Sequence, residues 1–389
     1  MKNIGFIHEE FPCGGAEKVT SHIAASLSKK GYRFFVFTCN LVEDKLSDEE
    51  RRNLNFIKIS PSDLFEETPN SVWVKKAKDI DIMVFTGSNF NVKRESIVRS
   101  IGCKYIFSNH GTPFWEIDDI KVEFERRISD KNFFSKIKHR IKHRIKLKKA
   151  NIYFKNLYKN IYQSCDAFTV LCDDYQREIS ERIGVGTDKF YVIPNGVPHP
   201  KITYSLNKKR QLLYVGRMSY ADKRVDRLID IWKNIYKKFP DWEFVLVGDG
   251  AERISLEGKV KAYSLERILF CGAVKNVEKY YDQAAILCLS SQFESWGLVL
   301  TEAQQAGVVP IAFNCSKGVE SILSPSWENG VLIENFDMKA YQEALVKLMT
   351  DENLRHSIQK NIIEKSCSYN MDKIGEKWDN LFQKLLNKV

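Results

Sequence analysis

Apolar residues along this chain change their spacing repeatedly, from short continuous runs to recurrence every three or four positions. The first pattern reads as strand and the second as helix. Residues 4–7 form an apolar run; Gly14-Gly15 then opens a segment with Ala16, Val19, Ile23 and Leu27 at helical spacing, and Gly31 closes it. Residues 32–38 are aromatic and β-branched, a second strand. Further strands are predicted at 55–59, 81–86, 104–108, 166–171 and 189–193. Strand and helix in strict alternation predict a doubly wound, mostly parallel α/β sheet.

The rhythm breaks where Pro194, Gly196, Pro198 and Pro200 crowd together, a linker composition. It then restarts: strand at 212–216, helix at 222–238, strands at 244–248, 268–270, 286–289 and 309–312. Two Rossmann-like lobes are therefore expected, at 1–198 and 199–368, with a ligand cleft between them. Ile374, Trp378, Leu381 and Leu385 then repeat at helical spacing, so 369–389 is expected to be a terminal helix with one apolar face.

Composition narrows the class. The chain has 389 residues, enough for two domains, and its 43% hydrophobic content excludes a disordered protein. No apolar run reaches the length of a membrane span, and the N-terminus reads as a strand rather than a signal peptide. The nine cysteines are scattered without Cys-x-x-Cys, so reduced thiols in a cytoplasmic protein are expected rather than a zinc site. A formal net charge of +10 favours anionic partners.

One block carries chemistry. Glu294 and Glu302 are separated by Ser295, Trp296, Gly297, Leu298 and an apolar run, and Gly307 and Pro310 follow. This reads as a loop turning on Gly297 into a helix N-terminus, where free amides and the positive dipole end suit an anion. Carboxylates beside an anion site are costly unless they bind hydroxyls, so a ligand with both phosphate and sugar hydroxyls is expected. Upstream, Gly216-Arg217 follows a strand and Lys223 comes shortly after, two cations able to neutralise a departing diphosphate. Gly14 and Gly15 allow close backbone approach of a ligand in the first lobe, and His110 directly follows the strand at 104–108.

The block from Glu294 to Glu302 resembles the Glu-x7-Glu motif of the retaining family 4 glycosyltransferases, among them bacterial polysaccharide and lipopolysaccharide hexosyltransferases, and the layout resembles their two-lobed GT-B fold. The resemblance implies that the loop amides from Ser295 to Leu298 hold the donor diphosphate. It implies that Glu294 contacts the transferred sugar, that Glu302 bonds the ribose, and that Arg217 and Lys223 bind the phosphates. It further implies that Gly14-Gly15 faces the diphosphate and acceptor, that His110 stands beside the sugar, that Val274 lies in the segment meeting the nucleotide base, and that the last helix crosses back to the first lobe. The expected activity is retaining, metal-independent transfer of a hexose from a nucleotide sugar, taken as UDP-linked, to a glycan or lipid-linked saccharide. A nucleotide-sugar epimerase, a sugar phosphorylase and a non-catalytic anion-binding module are the alternatives.

Two features stand apart. Asp79-Ile80-Asp81 mimics a metal-binding pair but leads into a strand, and no metal or other cofactor is expected there. The stretch from Lys131 to Lys149 holds no acid, and Ile137, Ile141 and Ile145 repeat every four residues within it. It is expected to be a basic helix meeting an anionic membrane, with Lys138, Arg140, Lys142 and Arg144 on the acceptor side. Nucleic acid is not expected, because no recognition motif accompanies the charge. The chain is thus placed in the cytoplasm, peripheral on the inner face of the membrane.

Overall fold

The computed structural model describes residues 1–12, 14–60, 75–87, 102–128 and 133–387. The chain divides into two compact units, Met1–Pro194 with Gly375–Val389, and Asn195–Ile374.

Unit 1 is built on a seven-stranded sheet ordered β3-β2-β1-β4-β5-β6-β7. The strands are β1 (Lys2–Phe11), β2 (Tyr32–Leu41), β3 (Leu54–Lys58), β4 (Ile82–Thr86), β5 (Lys104–Ser108), β6 (Ala167–Val170) and β7 (Phe190–Val192). Every pairing is parallel. Among the described residues the helices are α1 (Gly15–Leu27), α2 (Asp48–Asn53), α3 (Trp115–Ile128), α4 (Phe133–Ser164) and α5 (Asp173–Ile183). Strands buried on both faces need continuous apolar runs, and β4 and β5 supply them: Phe85 and Tyr105 are buried and meet edge to face at 4.9 Å. Burying one such ring contributes about 1.5–3 kcal/mol. Asp81 caps the starting end of this sheet, accepting from the Asn3 amide at 2.7 Å. The Asp79–Asp81 pair therefore lies at the edge opposite the strand C-termini.

Unit 2 repeats the plan with a six-stranded sheet, β10-β9-β8-β11-β12-β13. Its strands are β8 (Lys209–Val215), β9 (Glu243–Val247), β10 (Ile268–Gly272), β11 (Ala284–Leu289), β12 (Val309–Phe313) and β13 (Val331–Ile333). The helices are α6 (Val225–Ile235), α7 (Arg253–Ala262), α8 (Glu278–Gln283), α9 (Leu298–Gln305), α10 (Lys317–Leu323), α11 (Met338–Thr350) and α12 (Glu352–Ser366). Helix α6 buries Val225, Leu228, Ile229, Ile231, Trp232 and Ile235, an apolar face at helical spacing that packs into the main core.

The division falls at Pro194, ahead of the Pro198 boundary read from the prolines. The physical reason is local pairing: the Val197 amide bonds Tyr369 O at 2.8 Å and the Met371 amide bonds Val197 O at 3.0 Å, which ties 195–198 into unit 2. Helix α13 (Met371–Leu386) starts in unit 2, and from Gly375 onward it belongs to unit 1. There Asp379 accepts from Tyr32 Oη at 2.7 Å and Lys30 Nζ at 3.0 Å, while Phe382 packs on the Tyr32 ring at 5.6 Å. Trp378, Leu381 and Leu385, the stripe expected to be apolar, are buried. Among the described residues no disulfide joins two cysteines.

Candidate functional site

In unit 2 the chain runs outward through β8, β9 and β10 and returns to β11 on the other side of β8. Strand order reverses between β8 and β11, and open parallel sheets bind ligands beyond the strand C-termini at such a point. The loops leaving β8 and β11 carry the predicted residues. Lys223 Nζ donates to Glu294 Oε2 at 2.5 Å, with both side chains mostly buried. Ser290 Oγ donates to the carbonyls of Lys223 and Arg224 at 3.0 and 2.9 Å, so the end of β11 holds the β8 loop in place. Arg217 projects into solvent and its Nη2 donates to Asp222 Oδ2 at 2.9 Å.

Asp222 was not read from the sequence as a site residue. Burial pushes its carboxyl up, but hydrogen bonds from Ser219 and Arg217, with the charges of Arg217 and Lys223, outweigh burial and hold it below its ordinary value. The Asp222 carbonyl also accepts from the Gln292 amide at 2.6 Å. Arg217 and Lys223, expected as cations able to neutralise a diphosphate, thus stand in alternation with Asp222 and Glu294. An arriving anion must exchange with carboxylates already present.

The β8, β9 and β10 ends are laced together by backbone: the Gly216 amide bonds Val247 O at 3.0 Å, and the Gly248 amide bonds Gly272 O at 2.8 Å. A side chain at Gly248 would collide with the Gly216 carbonyl, so only glycine allows this approach. Val274, half-buried, follows this lacing.

The loop from Glu294 turns on Gly297 at φ +84°, a left-handed residue that caps α9. The first amides of α9 begin there, as the motif predicted. The indole of Trp296 is buried and meets Tyr369 edge-on at 5.5 Å, so this ring is a core anchor and only its backbone is available to a ligand. Ser295 backs onto α10 at Gly318, where a Cβ would strike the Ser295 carbonyl. One helical turn into α9, Glu302 Oε2 accepts from Tyr281 Oη at 2.8 Å. Tyr281 is fully buried; burial, then the charge of Glu302, raises its phenol well above the ordinary value, so it stays a donor. No sequence signal marks Tyr281, which sits in an ordinary amphipathic turn.

Unit 1 holds a second polar group at its own switch point, between β1 and β4. His8, buried in β1, bonds Thr20 Oγ1 at 2.9 Å and Thr86 Oγ1 at 3.1 Å, and its Nδ1 lies 3.5 Å from Glu17 Oε1. Burial pushes Glu17 up, but the hydrogen bond and charge of His8, with that of His110, leave its carboxyl below the ordinary value. His110 Nε2 meets Ser108 Oγ at 3.1 Å, and Thr169 Oγ1 donates to that oxygen at 2.7 Å. Gly14 caps α1, and the space beside Gly15 is open. His8 was overlooked in the sequence, although a histidine inside the strand leading to Gly14-Gly15 was a visible cue.

In α4, Arg140, Lys142 and Arg144 are exposed; the side chains of Lys138, Ile137 and Ile141 lie outside the described residues, as does Lys131. Among the described residues no group of histidine, cysteine and carboxylate side chains could hold a metal, and no helix is long and apolar enough to cross a membrane.

Two family models match the chain, one for glycosyltransferase family 4 over residues 13–200 and one for group 1 glycosyl transferases over residues 199–365. An uncharacterized glycosyltransferase of Haemophilus influenzae is 24% identical over 98% of this chain and 100% of its own length. The amylovoran biosynthesis glycosyltransferase AmsD of Erwinia amylovora is 30% identical over 45% of this chain; the match spans 48% of that enzyme. Among solved structures, Anabaena Alr3699/HepE in complex with UDP-glucose superposes with a TM-score of 0.75 at 15% identity, covering 99% of this chain and 100% of the other. The same two-sheet α/β architecture thus recurs at low identity.

Proposed function

We propose that this chain, which belongs to the glycosyltransferases of the GT-B fold, transfers a hexose from a UDP-sugar to a glycan or lipid-linked saccharide in the assembly of a bacterial surface polysaccharide. The observation that carries the reading is the meeting of Lys223 and Glu294 at the β8–β11 switch point, beside the amides that open α9. Glu302, oriented by Tyr281, is the ribose ligand, and Glu294 is the ligand of the transferred sugar. One relative supports the substrate class: a Campylobacter jejuni enzyme named for transfer of N-acetylgalactosamine to an undecaprenol-linked saccharide is 28% identical over 47% of this chain. The UDP-glucose held by the Anabaena protein supports a uridine nucleotide.

The reaction breaks the bond between the sugar C1 and the diphosphate oxygen and forms one between C1 and the acceptor oxygen. In the retaining, front-face course we assign, the acceptor attacks from the side the diphosphate leaves. Its proton passes to a departing phosphate oxygen. Arg217, Lys223 and the α9 amides stabilise the charge that grows on that group. Two cations and a helix N-terminus supply the positive charge a metal ion would otherwise bring, so no metal is assigned. In unit 1, His110 is assigned to the sugar and the Gly14-Gly15 turn to the acceptor side.

The test is a scan of UDP- and GDP-sugars for donor hydrolysis and donor-induced thermal shift, with and without EDTA. One UDP-sugar should be hydrolysed with retention at the anomeric carbon, unaffected by EDTA. No shift and no hydrolysis with any nucleotide sugar would remove the reading and leave a non-catalytic anion-binding role.

A further inference from the structure

Helix α7 (Arg253–Ala262) opens on an arginine at the C-terminal edge of the unit 2 sheet. Arg253 Nε donates to Glu257 Oε1 at 2.9 Å, and Nη1 donates to Asp249 Oδ2 at 3.1 Å. The other Asp249 oxygen accepts from the Gly250 amide at 2.7 Å, so this carboxylate is itself fixed. Gly272 ends β10 with φ +69°, and a Cβ there would stand 3.0 Å from Nη1. The guanidinium therefore lies against the end of β10, in space that a glycine leaves open. Backbone bonds tie the same turn to the loop leaving β8: the Met218 amide donates to the Asp249 carbonyl at 2.8 Å, and the Glu252 amide to the Met218 carbonyl at 3.2 Å. Arg253 thus belongs to the same group of loops as Arg217.

Stability does not account for this arrangement. The side chains of Arg253, Asp249 and Glu257 are 30%, 53% and 37% exposed, and ion pairs so open to water contribute little. Phosphate binding does not account for it either, because two carboxylates already outweigh the single positive charge. What remains is hydrogen bonding. A guanidinium fixes its N–H donors in one plane, and among the described residues Nη2 donates to nothing. Rigidly held donors without surplus positive charge suit a neutral carbonyl.

Their place in the sheet says which carbonyl. Neighbouring strands lie about 4.8 Å apart, so the end of β10 stands roughly 10 Å from β8, the reach of a ribose with its base. The β8 loop carries Arg217 and Lys223, and α8, which follows β10, carries Tyr281, the partner of Glu302. We propose, on the nucleotide-sugar reading above, that Arg253 selects the base of the donor: its Nη2 donates to the O4 carbonyl of uracil while Asp249 and Glu257 hold the guanidinium in plane. Cytosine carries an amino group where uracil carries O4, so there a donor would face donors. Guanine also offers a carbonyl to arginine, so the discriminating pair is uracil against cytosine.

Isothermal titration of the full chain with UDP, CDP and inorganic pyrophosphate reads this directly. Wild type should bind UDP at least about tenfold tighter than CDP. R253A should lose about tenfold for UDP and change little for CDP, so the ratio falls towards one, with pyrophosphate binding unchanged. Circular dichroism and melting report whether the variant is folded; if R253A fails to fold, R253K keeps the charge beside Asp249 and Glu257 but lacks the second arm of the fork, and the ratio should fall there too. Equal losses for UDP and CDP would overturn the assignment and leave Arg253 a support of the turn. Weaker pyrophosphate binding would overturn it in favour of a phosphate contact. Wild type binding UDP and CDP equally would overturn it with the donor reading intact, whereas wild type binding no nucleotide would remove both.

Discussion

Glu294→Gln should separate nucleotide binding from transfer. In the structure the Glu294 carboxylate already occupies Lys223, at 2.5 Å in a mostly buried pair. A diphosphate that uses Lys223 must replace a hydrogen bond between charged groups, worth about 1.5–3 kcal/mol net. The amide of glutamine keeps the shape but not the charge. Lys223 is then released towards phosphate, and UDP without a sugar should bind the variant about threefold to tenfold tighter, a fraction of the full 1.5–3 kcal/mol because the amide still accepts a hydrogen bond. Transfer should fall on the order of 100-fold if Glu294 meets the reacting sugar as proposed, since that group has lost its charge. Melting should change little, because Lys223 can turn to solvent. Isothermal titration with UDP, alongside kcat and KM for the sugar donor, reads both effects. If UDP affinity fell in proportion to kcat/KM, Glu294 would be a nucleotide ligand and the division of labour between Glu294 and Glu302 would be wrong.

Tyr281→Phe removes only the hydroxyl that orients Glu302 at 2.8 Å; UDP affinity should drop by roughly tenfold, equal to about 1.5 kcal/mol, with kcat at saturating donor nearly unchanged. A fall in kcat at constant affinity would place Glu302 near the reacting centre instead. Glu17→Gln probes the unit 1 cluster through pH. The folded carboxyl lies below its ordinary value of 4.5, so its stabilisation is present above about that pH and is lost as pH falls through the lowered folded value. Melting of wild type should exceed that of the variant at neutral pH, and the two curves should converge in acid; a constant gap from neutral to strongly acidic pH would mean that the His8–Glu17 charge interaction contributes nothing.

Much of the fold could be read from short-range pattern. The alternation of strand and helix follows from which residues must be buried within a few turns of each other, and the predicted strand at 104–108 coincides with β5. The glycine turn at 297 was equally legible, because a left-handed cap before a helix leaves a local signature in residue type. The Glu294–Glu302 spacing depends on one loop and one helix, so it too survives in the sequence. What the sequence left open is which charge meets which. Lys223 and Glu294 are 71 positions apart, and Tyr281 reaches Glu302 from a different helix. Their contact exists because β11 returns beside β8, a long-range choice made by burial of whole strands. Tertiary packing alone also decided that the Trp296 ring faces the core, and which side of α4 turns outward. A periodicity identifies a face, but only its neighbours determine whether that face is covered.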